Sequence, residues 1–427
     1  MTEIVPKRCT LENGLKVVIH HQPGRRSVTN FLAIRSGSRY ETAQNNGIAH
    51  FLEHLVFKGT EKYTDNEAVA SAIEGVGGTL NAWTDFDHTA YWNVVPQEEW
   101  QVGVDLNVEL AFKALLRQED LERERGVIIE EIRMLQDDPA RYVHDLSTEQ
   151  MFSGHPLAQQ IIGSEKTVQD MSLPQFKDYR SRYYAPSQAV FVVVGDLDEA
   201  SVEAHLRQQF KSLEPRELTV PEPWQGQSKA AIRVLNKATD QTHFVLGLAD
   251  DKLGLQSARE RYAVMLLNTI LGQGMSSRLF MNIREKKGLA YAIHSHFSSL
   301  EDAGALTVYG GVNTAKVELA LQALMEELEN LSSKLVPAAE LERARRHLIG
   351  TQEIQADHGL NLAVWYGTDW LLGRWETHEE VRRGLLAVTS DEIQSLARRI
   401  FKPSCLTLVV IGPHEKTETF AGILNNR

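Results

Sequence analysis

One supersecondary unit occurs twice in this chain of 427 residues, and every matched pair of positions has the same separation. Each copy contains a helix with a capping box, a proline-containing turn, a strand-like apolar run and a glycine. The matched features are Ser172 and Thr389, Pro186 and Pro403, the runs 189–194 and 406–411, and Gly195 and Gly412. Because chance does not explain so many matches at one offset, the sequence predicts two related folding units.

The length of the chain allows two domains, each large enough to bury its own core. A segment with three prolines and little periodicity, 213–228, separates the two copies. We therefore predict an N-terminal domain over 1–215, a linker over 216–228 and a C-terminal domain over 229–427. Each half begins with strand-like segments and continues into helical ones. This order predicts an α+β fold of two related sandwich domains, each a mostly antiparallel sheet covered by helices.

The composition argues against several classes of protein. A formal net charge of −12 disfavours nucleic acid as a partner. The longest apolar runs have only the length of strands, so no membrane-spanning helix is expected. The segment that starts at Met1 lacks the apolar core of a signal peptide, and two cysteines do not suggest a disulfide framework. We therefore expect a cytoplasmic protein that contacts neither nucleic acid nor membrane.

The sequence His50-Phe51-Leu52-Glu53-His54 carries the strongest chemical signal. Residues four apart on a helix are neighbours, so His50 and His54 can hold one metal ion. Glu53 is then close enough to act on a water at the open coordination position, which is the H-x-x-E-H arrangement of some zinc peptidases. Apolar residues at helical spacing support a helix here. The alternative is an ordinary amphipathic helix with two core or surface histidines.

A tetrahedral zinc site needs a third protein ligand. In the helical pattern over 119–136, Glu124 and Glu131 fall on an otherwise apolar stripe. Carboxylates on such a stripe need a partner, because burying an unpaired charge is costly. We therefore predict that Glu131 is the third ligand and that Glu124 orients a ligand. The alternative is that both carboxylates pair with nearby arginines: Arg123, Arg125 or Arg133.

The runs 50–60, 80–82 and 122–131 resemble the pitrilysin/insulinase family of zinc peptidases. The likeness extends over essentially the whole chain and is greatest to the smaller members, those related to the β subunit of the mitochondrial processing peptidase and its bacterial homologues. It implies two related α+β units and one Zn²⁺ per chain. It also implies the ligands His50, His54 and Glu131, with Glu124 behind them, and a metalloendopeptidase activity on peptides.

The same resemblance implies further site residues. Asn81 and Ala82 would lie on a sheet edge to which a peptide adds as a strand. Arg284 and Tyr291 would contact the bound peptide, and Tyr291 would assist catalysis by stabilising the oxyanion. The residues alone favour plainer interpretations: a turn residue for Asn81, a solvated helix cation for Arg284 and a half-buried strand aromatic for Tyr291.

The resemblance also implies an assembly. Two chains of the small members close around one peptide, so we expect a homodimer that hydrolyses unfolded peptides or oligopeptides inside an enclosed chamber. A heterodimer is the other possibility. The alternative function is a non-catalytic or partner-dependent subunit of a hetero-oligomeric processing peptidase. The physiological substrate and the cleavage preference do not follow from the sequence.

Overall fold

The computed structural model describes residues 5–217 and 219–425. The strands are β1 (Lys7–Thr10), β2 (Lys16–His21), β3 (Ser27–Ile34), β4 (Thr79–Thr84), β5 (Thr89–Pro96), β6 (Ala189–Gly195), β7 (Ala231–Asn236), β8 (Gln241–Asp250), β9 (Ala290–Ser299), β10 (Gly304–Asn313) and β11 (Thr407–Gly412). Within these residues, no helix is both long and apolar enough to cross a lipid bilayer.

The helices are distributed over both halves of the chain. They are α1 (Ile48–Val56), α2 (Asn66–Glu74), α3 (Trp100–Lys113), α4 (Gln118–Asp137), α5 (Pro139–Met151), α6 (Glu165–Asp170), α7 (Leu173–Tyr183), α8 (Glu199–Phe210), α9 (Ala258–Gly272), α10 (Val317–Ser333), α11 (Ala338–Ala356), α12 (Gly359–Leu371), α13 (His378–Ala387), α14 (Ser390–Ile400) and α15 (Glu418–Asn425). A π-helical segment, Leu279–Lys286, precedes β9.

The chain forms two compact units, each assembled from both halves. The first unit contains the residues up to Ile132, Gln159–Pro221 and Glu353–Thr377. The second unit contains Arg133–Ala158, Glu222–Gln352 and the residues from His378 onward. The predicted linker 216–228, in which position 218 lies outside the described residues, contains the junction between Pro221 and Glu222.

The first unit is built on a six-stranded sheet of order β1-β2-β6-β3-β5-β4. β6 pairs in parallel with β2 and antiparallel with β3, and the other pairs are antiparallel. β6 is buried along its whole length, which explains its continuous apolar sequence. α12 packs on this sheet through Leu362 and Tyr366. Gly367 allows the close approach, because a Cβ there would lie 2.5 Å from the ring of Phe31.

The second unit is built on a five-stranded sheet of order β7-β11-β8-β10-β9. β11 pairs in parallel with β7 and antiparallel with β8, as β6 does with β2 and β3. The sequence repeat is therefore a structural repeat, and the predicted α+β fold of two mostly antiparallel sheets with helices is confirmed. α5 packs on this sheet through Val143 and Leu146, against Val245 and Val409.

The two units are not contiguous halves of the chain, because each half contributes one helix to the unit of the other half. α5 comes from the first half of the chain and covers the sheet of the second unit, while α12 comes from the second half and covers the sheet of the first. The contiguous domains predicted over 1–215 and 229–427 do not contain this exchange. The physical cause is the burial of an apolar helix face. α5 buries its apolar face on the second sheet, and α12 buries its apolar face on the first sheet.

Candidate metal centre

α1 is held at both its start and its buried face. Gly47 precedes it in the left-handed region, at φ +97°. The carboxylate of Glu41 accepts hydrogen bonds from the backbone N–H groups of Gly47 (2.7 Å) and Ala49 (2.8 Å), which are free at a helix N-terminus. On the buried side, Phe51 packs edge-on against Phe176 at 4.9 Å between ring centroids. The backbone that carries the predicted histidine ligands is therefore fixed.

α1 and α4 bring three metal-binding side chains of the first unit together. One ligand atom from each of His50, His54 and Glu131 lies within 4.8 Å of the others. The Oε2 atom of Glu131 is 3.9 Å from Nε2 of His50 and 3.7 Å from Nε2 of His54. Within the described residues, no other set of three histidine, cysteine, aspartate or glutamate side chains meets this distance.

The chemistry of these donors suits zinc. Burial lowers the pKa of His50 to about 3, so its imidazole is neutral at physiological pH and can bind a cation through a lone pair. Two imidazole nitrogens and one carboxylate oxygen form a typical protein ligand set for a catalytic zinc ion. Such a set leaves a fourth coordination position for water or substrate. His50, His54 and Glu131 therefore fit a catalytic rather than a structural zinc site.

Glu124, the residue predicted to orient a ligand, lies beside the imidazole of His54. It is only 5% exposed, and its Oε2 atom is 3.4 Å from Nδ1 of His54. Its other oxygen is 2.7 Å from Nζ of Lys58. The sequence pattern does not indicate Lys58 as a partner, because Lys58 lies past the end of α1 at Val56. The ammonium group compensates the buried carboxylate, which can then orient the imidazole.

Glu53 lies next to His54 and is hydrogen-bonded to a residue of β4. The hydroxyl of Thr84, the last residue of β4, donates a hydrogen bond of 2.7 Å to Oε2 of Glu53. Burial raises the pKa of Glu53, and the hydrogen bond from Thr84 acts in the opposite direction. No local sequence pattern indicates a role for Thr84, because none connects the end of a strand to this helix.

A cavity of about 280 Å³ opens beside these groups. It is lined by Glu53, His54, Phe57, Lys58, Asn66, Val69, Ala70, Leu80 and Asn81. Asn81 and Ala82 lie in β4, the strand at the edge of the first sheet. Asn81 thus lines the same cavity as Glu53, and within the described residues β4 pairs with β5 alone, which leaves its other edge for strand addition of a peptide.

Arg284 and Tyr291 belong to the second unit and lie beside each other. Arg284 is in the π-helical segment, and its guanidinium carbon is 5.8 Å from the ring centroid of Tyr291 in β9. Tyr291 is 74% exposed, so the plainer interpretation of a half-buried aromatic is wrong. β9 is the edge strand of the second sheet, so this exposed pair stands at a sheet edge.

Comparisons with known proteins identify the family. Residues 16–165 match the family model described as Insulinase (Peptidase family M16), and residues 170–348 match the one described as Peptidase M16 inactive domain. An uncharacterized zinc protease of Bacillus subtilis, YmxG, is 33% identical over 410 residues, which cover 95% of this chain and 98% of the relative.

Solved structures show the same fold. A protease from Helicobacter pylori superposes with a TM-score of 0.89 at 24% identity, and the match covers 96% of this chain and all of that one. A chain of the Candida albicans Complex III2 structure gives a TM-score of 0.83 at 15% identity and covers 98% of this chain and 99% of that one. The match to YmxG over nearly the full length of both proteins decides the assignment: the chain belongs to the insulinase family of peptidases, family M16.

Proposed function

We propose that this chain is a zinc-dependent endopeptidase that cleaves unfolded peptides. The observation that carries the proposal is that ligand atoms of His50, His54 and Glu131 lie within 4.8 Å of one another, while Glu53 lines a cavity together with His54. His50, His54 and Glu131 would hold a zinc ion, which when bound would supply an electrophile for the substrate carbonyl and for a water molecule. The other components of the reaction are side chains of this protein.

Glu53 acts as the general base and then as the general acid. Its carboxylate takes a proton from the attacking water and passes it to the nitrogen of the leaving amine when the peptide bond breaks. The raised pKa of Glu53 suits both steps, because an ordinary glutamate holds a transferred proton too weakly. The partly buried position also strengthens its interaction with the reacting groups.

The peptide binds along β4. Its main chain pairs with the free edge at Asn81 and Ala82, which makes binding largely independent of the peptide sequence. The cavity next to Glu53 receives the substrate side chain beside the scissile bond. Because Phe57, Val69 and Leu80 provide apolar walls, an apolar side chain fits this cavity best.

Arg284 and Tyr291 of one chain complete the metal centre of a second chain in this proposal. The exposed phenol of Tyr291 donates a hydrogen bond to the oxyanion, and Arg284 binds the peptide main chain. We propose a homodimer in which each chain supplies this pair to the metal centre of the other. Mixing a Glu53→Gln chain with an Arg284→Ala/Tyr291→Phe chain tests this arrangement. Restored activity supports shared sites, and a mixture no more active than either chain contradicts them.

A non-catalytic or partner-dependent subunit is the second candidate. Its support is the match of residues 170–348 to a family model described as an inactive domain. A subunit that has lost catalysis has no need for a complete ligand set with a general base, and this chain has both. Measuring the zinc content, the mass and the activity of the purified chain distinguishes the two candidates.

The deciding experiment is cleavage of a peptide library by the zinc-loaded chain, with products identified by mass spectrometry. We expect hydrolysis that a chelator abolishes and added zinc restores. The Glu53→Gln chain, which keeps the metal ligands, is the matched control and should release products at least about 100-fold more slowly. A zinc-loaded wild-type chain that cleaves no peptide would contradict the proposal.

A further inference from the structure

The side chain of Glu53 needs an external constraint to act reproducibly. α1 fixes its backbone, but a glutamate side chain has three rotatable bonds, and ordering it costs about 1.5–2 kcal/mol of conformational entropy. A catalytic carboxylate displaced by about 1 Å loses much of its effect. The neighbouring residues therefore decide which oxygen of Glu53 faces the substrate.

Thr84 is the residue that meets this need in the structure. Its hydroxyl donates to Oε2 of Glu53 at 2.7 Å, a short distance typical of a hydrogen bond to a charged acceptor. Oε1, the other carboxylate oxygen, takes no part in this hydrogen bond. A single donor on one oxygen thus makes the two oxygens of Glu53 different.

Thr84 is itself rigidly placed. It pairs with Thr89 across β4 and β5, and the hydroxyl of Thr89 donates to the backbone oxygen of Ser36 at 2.6 Å. The segment directly after Thr84 is also tied down, because the carbonyl of Asp85 accepts from the N–H of Ser38. As a β-branched residue, threonine has few χ1 choices in a strand. The hydroxyl therefore has a defined direction.

We infer that Thr84 is a positioning residue that holds Oε2 of Glu53, so that Oε1 is the oxygen that exchanges the proton with water. The inference rests on the proposed peptidase function and deepens it. The inference also connects two parts of the site. Asn81, at the edge where the peptide would bind, and Thr84 belong to the same short strand. β4 would therefore fix the position of the bound peptide relative to Glu53.

A merely structural role for Thr84 predicts a different pattern of effects. Leu80, Ala82 and Thr84 alternate along β4 and share one face, as residues two apart do in a strand. If Thr84 only filled space there, valine, which has the same shape, would replace it without loss. Serine, which is smaller but keeps the hydroxyl, would be the more harmful change. The two substitutions therefore separate the two roles.

The experiment compares Thr84→Val and Thr84→Ser in the zinc-loaded full chain, with kcat, KM and zinc content measured for each. We expect Thr84→Val to lower kcat about 10- to 100-fold, the usual cost of losing an orienting partner, with KM and zinc content unchanged. Thr84→Ser should retain most of the wild-type kcat. Thr79→Val is the matched control, because Thr79 lies on the same strand but is exposed.

Crystal structures of the metal-free wild-type and Thr84→Val chains give a readout that does not depend on activity. We expect one Glu53 conformer in the wild type and more than one in Thr84→Val. Wild-type kcat with a single Glu53 conformer in Thr84→Val, or equal impairment by valine and serine, would overturn the role of Thr84. If zinc-loaded wild type cleaves nothing, the proposed function fails first, and the failure is not attributable to Thr84.

Discussion

In each unit, a hydroxyl group of the edge strand donates a hydrogen bond to a side chain of a helix, but only the hydrogen bond of the first unit lies in the candidate site. In the first unit, Thr84 of β4 donates to Glu53 of α1. In the second, Ser295 of β9 donates to the side-chain oxygen of Asn268 in α9 at 2.6 Å. β4 and β9 occupy equivalent edges, and α1 and α9 follow the equivalent strands β3 and β8.

The acceptors differ in charge and in surroundings. Asn268 is 2% exposed and Ser295 is 4% exposed, so their hydrogen bond satisfies two buried polar groups. Glu53 is half-buried and lines a cavity beside His54. α9 contains no histidine, and its buried residues include the aliphatic Leu267 and Ile270. The hydrogen bond between edge strand and helix thus serves stability in the second unit and, in our proposal, catalysis in the first.

Among the described residues, only the first unit has a candidate metal centre, and Glu131→Gln tests that centre most strongly. Losing a group that only orients a ligand costs about 10- to 100-fold in metal affinity, so losing a ligand should cost more than about 100-fold. Zinc competition titration measures the change, and activity should disappear with the metal. Glu130→Gln, the neighbouring and exposed carboxylate, is the control. Stoichiometric, tightly bound zinc in Glu131→Gln would remove Glu131 from the ligand set.

The second difference between the units is the charge of the hydrogen-bond acceptor, which is a carboxylate in Glu53 and a neutral amide in Asn268. Glu53→Gln keeps the size of the side chain and still accepts a hydrogen bond from Thr84, but it cannot take a proton. We expect kcat to fall by about 10²- to 10⁴-fold with zinc content unchanged, as measured by steady-state kinetics and elemental analysis. Glu74→Gln, an exposed change on α2, should leave kcat unaltered. Retained turnover in Glu53→Gln is the result that excludes it as the base.

Removing the hydrogen bond between Ser295 and Asn268 in the second unit should lower stability without changing kcat. Ser295→Ala leaves the buried amide oxygen of Asn268 without its donor from β9, which should lower the free energy of unfolding by about 1–3 kcal/mol. Denaturant titration measures this loss, and peptide hydrolysis below the unfolding range should proceed at the wild-type kcat. A large fall in kcat with stability unchanged would show that the two connections are functionally alike.

The smallest expected effect is a loss of folding stability at low pH. Burial lowers the pKa of His20, whose ring lies 5.5 Å from Tyr366 of α12, to about 4. The unfolded chain binds this proton near pH 6.5 and the folded chain only near pH 4, so stability is lost as the pH falls between these values. The loss is about 1 kcal/mol at pH 6 and about 2 kcal/mol at pH 5.

His20→Phe removes the titrating group while keeping a ring under α12. The difference in unfolding free energy between wild type and His20→Phe should therefore change with pH by the amounts given, in favour of the variant as the pH falls. Denaturant titrations at pH 7, 6 and 5 measure this. A difference that does not depend on pH would mean that the imidazole is solvated in the folded chain.

Local spacing explains why part of the site could be predicted from the sequence. His50, Glu53 and His54 lie within one turn and a half of a helix, so their mutual positions follow from helix geometry. Glu131 was predicted from the cost of placing a carboxylate on an apolar stripe. The two units were predicted from the repeat of a strand and its flanking turn, which are also local features. Each of these inferences uses residues that are close in sequence.

Long-range packing explains what the sequence did not reveal. Thr84 and Lys58 acquire their roles through partners on another element, and no local pattern specifies that element. Glu41 caps α1 from an upstream loop for the same reason. The exchange of α5 and α12 is the largest such feature, since an amphipathic helix shows that it has an apolar face but not which sheet that face will cover.

The exchanged helices also set the order in which the molecule can be completed during synthesis. A ribosome that has finished β6 has made every strand of the first sheet, but Phe31 and Val192 stay uncovered until Leu362 and Tyr366 of α12 emerge. Nearly the whole polypeptide must be translated before its N-terminal core closes. A nascent chain of this design carries a complete but uncovered sheet from the end of β6 at Gly195 until α12, which ends at Leu371, has been made. It needs protection from aggregation over that interval.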